Sequence, residues 1–249
     1  MPAQNPCVLI ATPTRGSPKM QYVHSIVGTI KDLATRRIKS DFVTLAGSSP
    51  AIQRSMLATQ FLECREFTHM FFVDDDMSFP DDTCARLLAS DKGVIGTIAT
   101  KRVIHLDRIE KALSKGASLK QAFLAGHEWI IGSHTQSSSL VKLGTVDNAS
   151  SFGFGAVLVR RDALQLMLEK SAVARYSLSK AHISGGAHYY GFFKSRPQDP
   201  TDAFTEDESF YRRWQLDCGG EVWALTDVPI VHIGDFAYGG QYSDLVPSR

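Results

Sequence analysis

Three aspartates stand side by side in HMFFVDDDMSFP, the stretch His69–Pro80, directly after an apolar run. On an extended chain positions i and i+2 face the same way, so Asp74 and Asp76 can address one spot while Asp75 turns elsewhere. Two carboxylates aimed at one spot repel unless a cation neutralises them. A divalent ion suits such a pair, because it takes few protein carboxylates and completes its shell with phosphate oxygens of a substrate. The plain alternative is an acidic turn, with Asp76 or Ser78 capping the next element.

Two distant segments carry further chemistry. In AFTEDESFYRRW, Thr205 and Glu208 have the spacing of a capping box, and Glu206 and Asp207 fall at the positive end of the helix it opens. Capping alone accounts for these acids. The functional alternative makes Asp207 or Glu206 a general base that takes a proton from an attacking hydroxyl. In PIVHIGDFAYGG, His232 comes after a strand-like segment. Alone it is an ordinary histidine, but one imidazole joined to two carboxylates suits manganese better than calcium.

The elements that must position these groups alternate along the first hundred residues. CVLIAT is a short continuous apolar run, as expected of a strand buried on both faces. Ser17–Pro18 and Ser49–Pro50 each read as an N-cap followed by proline at the first helical position. DFVTLAG, HMFFV and GVIGTIA read as further strands, and FPDDTCARLLASD as a short helix. This β-α-β-α-β-α-β order predicts an α/β fold with a central, mostly parallel sheet flanked by helices, and ligands beyond the carboxyl ends of its strands.

The second half is less regular. It reads as helices broken at Gly116, Ser-rich loops with room for a hairpin, the strand GFGAVLVRR, the helix DALQLMLEKS, an aromatic Gly- and Pro-punctuated loop around HYYGFF, a helix from Glu206 and the strand EVWALTD. HYYGFF is either a lid over a ligand or core packing. Trp129, Trp214 and Trp223 are expected in the core, and Lys101–Arg102 as a solvated basic turn or, alternatively, as cations that with Arg15 or Arg54 neutralise a leaving diphosphate.

With 249 residues, a formal charge of +1, 43% hydrophobic and 21% charged residues, the chain has the composition of an ordinary globular protein. No global field points to nucleic acid or membrane, although a local basic patch is compatible with the total. No run of about 18 apolar residues predicts a transmembrane helix. The opening MPAQNPCVLIATP lacks the pattern of a secretory signal. The scattered Cys7, Cys64, Cys84 and Cys218 read as reduced thiols, consistent with a cytoplasmic protein. With no repeat or linker, residues 1–249 are expected to form one domain, 1–100 its nucleotide-binding half and 101–249 its acceptor-binding half.

Taken in order, these segments resemble a GT-A type glycosyltransferase of the broad family-2-like kind, over most of the chain. Asp74-Asp75-Asp76 with MSFP after it resembles the DxD motif, which implies that Asp74 and Asp76 hold a metal on the donor's diphosphate and that Asp74 and Asp75 lie against the donor. ATPTRG resembles the loop around the nucleotide, implying that Thr12, Pro13, Thr14 and Arg15 line base and ribose with Tyr22 nearby. IQRSMLATQFLE resembles the helix whose arginine, here Arg54, faces the donor. SFGFGAVLVRR resembles the glycine-rich stretch beside sugar and acceptor, at Gly153 and Gly155. Thr205–Asp207 resembles the xED motif, making Asp207 the base, and His232 resembles the histidine that completes the metal site. The segment 101–136 is left to a variable acceptor region.

The resemblance thus implies a Mn2+- or Mg2+-dependent enzyme that moves a hexose or pentose from a nucleoside-diphosphate sugar, UDP-linked above GDP-linked, to an acceptor hydroxyl; the ED motif favours inversion, the alternative being retention with the leaving phosphate taking the proton. The acceptor is open among glycan, small molecule, protein and modified nucleic acid. Two rivals use similar residues: a metal-dependent nucleotidyltransferase, and a sugar-nucleotide binding module without catalysis.

Overall fold

A computed structural model describes residues 5–130, 138–144, 153–171, 173–177, 188–200 and 204–235. In chain order the elements are β1 (Cys7–Thr14), α1 (Met20–Thr35), β2 (Lys39–Ala46), α2 (Pro50–Glu63), β3 (His69–Val73), β4 (Met77–Ser78), α3 (Thr83–Ala89), β5 (Val94–Thr97), β6 (Thr100–Ile104), α4 (Leu106–Ser114), α5 (Leu119–Ala125), β7 (His127–Trp129) and β8 (Leu140–Lys142). After these come β9 (Ala156–Arg160), α6 (Arg161–Lys170), β10 (Arg175–Ser177), β11 (His188–Tyr190), α7 (Glu206–Arg212) with a π-helical continuation over Arg213–Asp217, β12 (Val222–Leu225) and β13 (Val231–His232).

Seven strands form the main sheet in the order β2-β1-β3-β9-β5-β12-β8. The sheet is mixed, which corrects the expectation of a mostly parallel one. β1 runs parallel to β2 and β3, and β5 to β12, but β9 lies antiparallel between β3 and β5, and β8 is antiparallel to β12. A strand buried on both faces shows the same apolar run whichever way it points, so direction left no trace in the residues. The reversal has a use: the Gly153–Gly155 approach to β9 arrives at the carboxyl end of β3, beside the aspartates.

Alternation along each strand divides the core. Met70 and Phe72 of β3 join Leu9, Ala11, Val157 and Val159 on one face, under α2, α6 and α7. Phe71 and Val73 join Val8, Ile10, Ala156 and Leu158 on the other, under α1 and α3. Burial on both faces is why the run HMFFV carries no polar residue between His69 and Asp74.

α2 begins at Pro50 with Ser49 as N-cap, as expected, although the serine hydroxyl makes no capping bond. α1 begins at Met20, two residues beyond the Ser17–Pro18 start. Lys19 stays extended there because its backbone N–H donates to the Asp75 carbonyl (2.9 Å). Gly116, with φ of +83°, separates α4 from α5 as expected. Leu140–Lys142 is an edge strand of the main sheet, while the Ser-rich residues on either side of it, 131–137 and 145–152, lie outside the described residues. The HYYGFF stretch is core packing: Tyr189, Phe192 and Phe193 are buried, and Phe193 stacks on Phe210 with ring centroids 4.8 Å apart. Trp214 is buried, but Trp129 is 41% exposed, against the expectation of a core residue.

α2 is clamped at its far end by Arg161. Its guanidinium donates to the carbonyls of Phe61, Leu62, Cys64 and Phe67, at 2.6–3.1 Å. A cation on the carbonyl end of a helix is favourable for the dipole as well as for the bonds. Arg161→Ala strands these acceptors and is expected to lower stability by about 2–3 kcal/mol, read from the urea midpoint. An unmoved midpoint would mean that water satisfies the carbonyls equally well.

Candidate active site

Beyond the carboxyl ends of β1 and β3 opens a cleft of about 500 Å³. The aspartate turn forms its floor, and the backbone of that turn is fixed from three directions. Asp74 N–H donates to the Gly155 carbonyl (3.1 Å), the Asp75 carbonyl accepts from Lys19, and the Asp76 carbonyl accepts from Ile233 N–H (2.8 Å). A Cβ at Gly155 would stand 2.6 Å from the terminal methyl of Met77, so a side chain there would have to displace that flexible methionine.

The three carboxylates fan out to three separate partners. Asp75 accepts a short hydrogen bond from the Thr14 hydroxyl at the end of β1. Asp74 accepts from Arg54 Nη2 at 2.7 Å. Asp76 faces His232 Nε2 at 3.1 Å and Arg102 Nη1 at 3.3 Å. His232 is brought there by a two-residue antiparallel ladder between β13 and β4, with His232 opposite Met77. Adjacent negative charges are therefore tolerated through protein donors, each with its own partner.

Arg54 is the centre of the arrangement. It enters from the first turns of α2, is 4% exposed, and its Nη1 reaches both Glu206 Oε1 (3.0 Å) and Asp207 Oδ1 (2.8 Å) at the start of α7. Below it lie the rings of Phe154 and Phe193, 5.5 and 6.0 Å from the guanidinium carbon. Burial works against its charge, but Asp207, Asp74 and Glu206 outweigh that and hold its pKa above the ordinary value.

Asp207 sits at the second position of α7, behind the Thr205–Glu208 capping box that the spacing predicted. Its Oδ2 accepts from the backbone N–H of Phe154 at 3.1 Å. Burial pushes its pKa up to about 6; Arg54 opposes this, while Glu206 and Asp74 add to it. Burial also raises Asp74 against the pull of Arg54. For Asp76 the balance is reversed: burial pushes up, but His232 and Arg102 overcome it and hold the carboxyl below its usual range.

The cleft is lined by Pro13, Thr14, Arg15, Arg54, Asp74, Asp75, Asp76, Gly153, Gly155, Glu206, Asp207 and His232, twelve of the fourteen residues singled out from the sequence. Thr12 and Tyr22 are the exceptions. Both are buried beneath the floor, where the Tyr22 hydroxyl donates to Thr12 Oγ1 at 2.6 Å, so they support the loop and do not line it. Reading the sequence missed Lys19, Gln53 and Phe154; Arg102, read as a basic turn or as a cation of the site, lies in β6 and lines the cleft. Gln53, buried, fixes the loop by donating to the carbonyls of Thr14 and Leu45. Arg102 had a signal, a cation just after a strand, but nothing in the sequence paired it with Asp76.

The expected metal set of Asp74, Asp76 and His232 is not gathered. Among the described residues no three His, Cys, Asp or Glu side chains are placed to hold an ion, because Asp74 is drawn to Arg54. Asp76 and His232 remain as a pair. His232 Nδ1 lies 2.8 Å from the Thr100 carbonyl, to which it can only donate, and Nε2 faces the Asp76 carboxylate. With acceptors on both sides, a second proton or a cation belongs between Nε2 and Oδ2. The pair has the chemistry of two ligands of a divalent ion, although Arg102 Nη1 lies 3.3 Å from the same Asp76 Oδ2 and would have to give way to the ion.

No family model matches the chain, and no curated protein does. Among solved structures it is similar to A197 from STIV, at 13% identity over 92% of this chain and 86% of that one, with a TM-score of 0.50. It shares a fold. The chain also aligns, more loosely, with GalNAc-T7 solved with UDP, GalNAc and Mn2+ (11% identity, 98% of this chain and 46% of that one, TM-score 0.45). A further loose alignment is with the inositol-1-phosphate CTP transferase from T. maritima (10%, 92% and 90%, 0.43). The chain spans less than half the length of GalNAc-T7. At these identities the likenesses single out no family, the family-2-like kind included.

Removing the central cation leaves three carboxylates facing one another. Arg54→Met is expected to cost about 3–5 kcal/mol at neutral pH. The deficit should narrow on acidification, as the carboxyls it neutralised take up protons. Denaturant titrations of both proteins at neutral and acid pH check this; a deficit independent of pH would assign the loss to packing against Phe154 and Phe193 instead.

Proposed function

We propose that this protein transfers a sugar from a nucleoside-diphosphate donor to an acceptor hydroxyl, with inversion. The observation that carries the reading is the meeting, in one cleft, of a carboxyl with its pKa raised to about 6, Asp207, and the Asp76–His232 pair on the opposite side of the aspartate turn. A group near this pKa is ionised at neutral pH and still basic enough to draw a proton from a hydroxyl as attack begins.

In this reading Pro13, Thr14 and Arg15 line the nucleotide, and the diphosphate lies between the aspartate turn and the cations Arg15, Lys19 and Arg102. The likeness of Asp74–Asp76 to the DxD motif favours a UDP donor. Asp76 and His232 would hold a manganese or magnesium ion, which when bound supplies Lewis-acid neutralisation of the leaving diphosphate. Asp207 accepts the acceptor proton. Arg54 keeps Asp207 Oδ1 in place and the Phe154 N–H keeps Oδ2 in place, so the carboxylate presents its remaining lone pairs to the cleft. Arg54 is a positioning residue here: its bonds go to Asp74, Glu206 and Asp207.

Calorimetry with a panel of nucleoside-diphosphate sugars and manganese, combined with product analysis, tests this. Asp76→Asn and His232→Ala should weaken donor binding, whereas Asp207→Asn should keep it and lose roughly 100-fold or more in kcat. Stabilisation by a nucleoside triphosphate alone, with pyrophosphate release, would transfer the site to nucleotidyl chemistry.

The raised acid also sets a pH dependence. Asp207 is protonated below its pKa and cannot act as a base, so kcat/KM should rise with pH through about 6 and level off above it. A rate flat across that range, on both the acid and the neutral side, would remove Asp207 from the proton transfer.

A further inference from the structure

Beyond Arg102, which reaches the cleft, β6, α4, α5 and β7 form an excursion whose two strands pair with each other and not with the main sheet. None of the residues of α4 is buried, and in α5 only Ala122 is. Large apolar side chains are left facing solvent: Leu106 is 75% exposed and Leu119 73%, with Leu113, Phe123, Leu124 and Trp129 between two-fifths and one-half exposed. Isolated apolar residues on a surface are ordinary, but six exposed ones from Leu106 to Trp129, of which Phe123, Leu124 and Trp129 line one groove, ask for a partner.

The same segment is basic. Residues 101–129 hold six Lys or Arg against three Asp or Glu, a formal +3, which leaves the rest of the chain at −2. Lys101 is paired with Glu128 and Arg102 with Asp76. Arg108, Lys111, Lys115 and Lys120 are exposed, and none enters an ion pair among the described residues. Along α4 the helical spacing places Leu106, Ile109 and Leu113 on one stripe and Arg108, Lys111 and Lys115 on the opposite side. Exposed leucines and a phenylalanine alongside unpaired cations are the composition of an element that lies in a bilayer interface.

We propose that the α4–α5 excursion docks on the surface of an anionic lipid bilayer, with its apolar side chains entering the headgroup boundary and its cations against the lipid phosphates. A second copy of the chain is a poorer occupant, because a two-fold contact would press two positive patches together. Nucleic acid is poorer too, since phosphate contacts use the cations but give the leucines nothing to bury against.

The test is flotation of the full chain with phosphatidylcholine vesicles, with and without about one quarter phosphatidylglycerol, at low and high salt. The chain should float with the anionic vesicles and not with the neutral ones, and salt should weaken the binding. Lys111→Glu with Lys115→Glu should reduce binding roughly tenfold or more, and Leu119→Asp with Phe123→Asp should do the same even at low salt. All four positions are exposed, so an unchanged thermal midpoint verifies that the variants fold. Absence of flotation overturns the proposal. So does equal flotation of the variants, association of the chain with itself that the leucine substitutions abolish, or duplex binding in place of vesicle binding.

Discussion

One buried guanidinium holds the candidate site together. Arg54 joins three segments far apart in sequence: its own helix, the turn after β3 and the start of α7. Without it, Asp74, Glu206 and Asp207 would be a knot of negative charge at the most crowded point of the fold. With it, each carboxyl has a fixed orientation. Everything around Arg54 serves its placement: the Arg161 clamp at the far end of α2, the Phe154 and Phe193 rings beneath it, and the capping box that fixes Asp207.

That arrangement changes the physical answer to the crowded aspartates. Their mutual repulsion is offset by an arginine, a hydroxyl and an imidazole with a second arginine, so that each acid has a partner of its own. The result is a division of labour. The side bearing Asp74 is neutralised internally and orients Asp207, while the side bearing Asp76 and His232 keeps a carboxylate and an imidazole facing each other. In the proposed reaction a diphosphate with its cation would lie on the second side and the reacting hydroxyl on the first.

Much of this was legible from residues. Continuous apolar runs marked β1, β3 and β5, Ser49–Pro50 marked the start of α2, and Thr205 with Glu208 marked that of α7, because local capping and burial leave local patterns. The antiparallel insertion of β9 was not legible, since a strand buried on both faces reads alike in both directions. Nor was the fate of Tyr22 and Thr12, which satisfy one another in the core. The gathering of Asp74, Asp76 and His232 on one ion assumed that alternation alone aims carboxylates; a cation arriving from a separate helix re-aimed one of them. The exposed leucines at 106–124 have the spacing of any amphipathic helix, and only the absence of a covering layer among the described residues distinguishes them.

The ladder between β4 and β13 is two residues long, whereas the opposite wall is carried by α2 and the start of α7, joined through Arg54. Opening free energies scale with the amount of structure that must come apart. The imidazole wall is therefore the side of the cleft where local opening is expected to cost least. In the proposed reaction a bulky anionic donor would enter and leave by that side, while Asp207, held across the cleft by Arg54 and the Phe154 N–H, would keep its orientation.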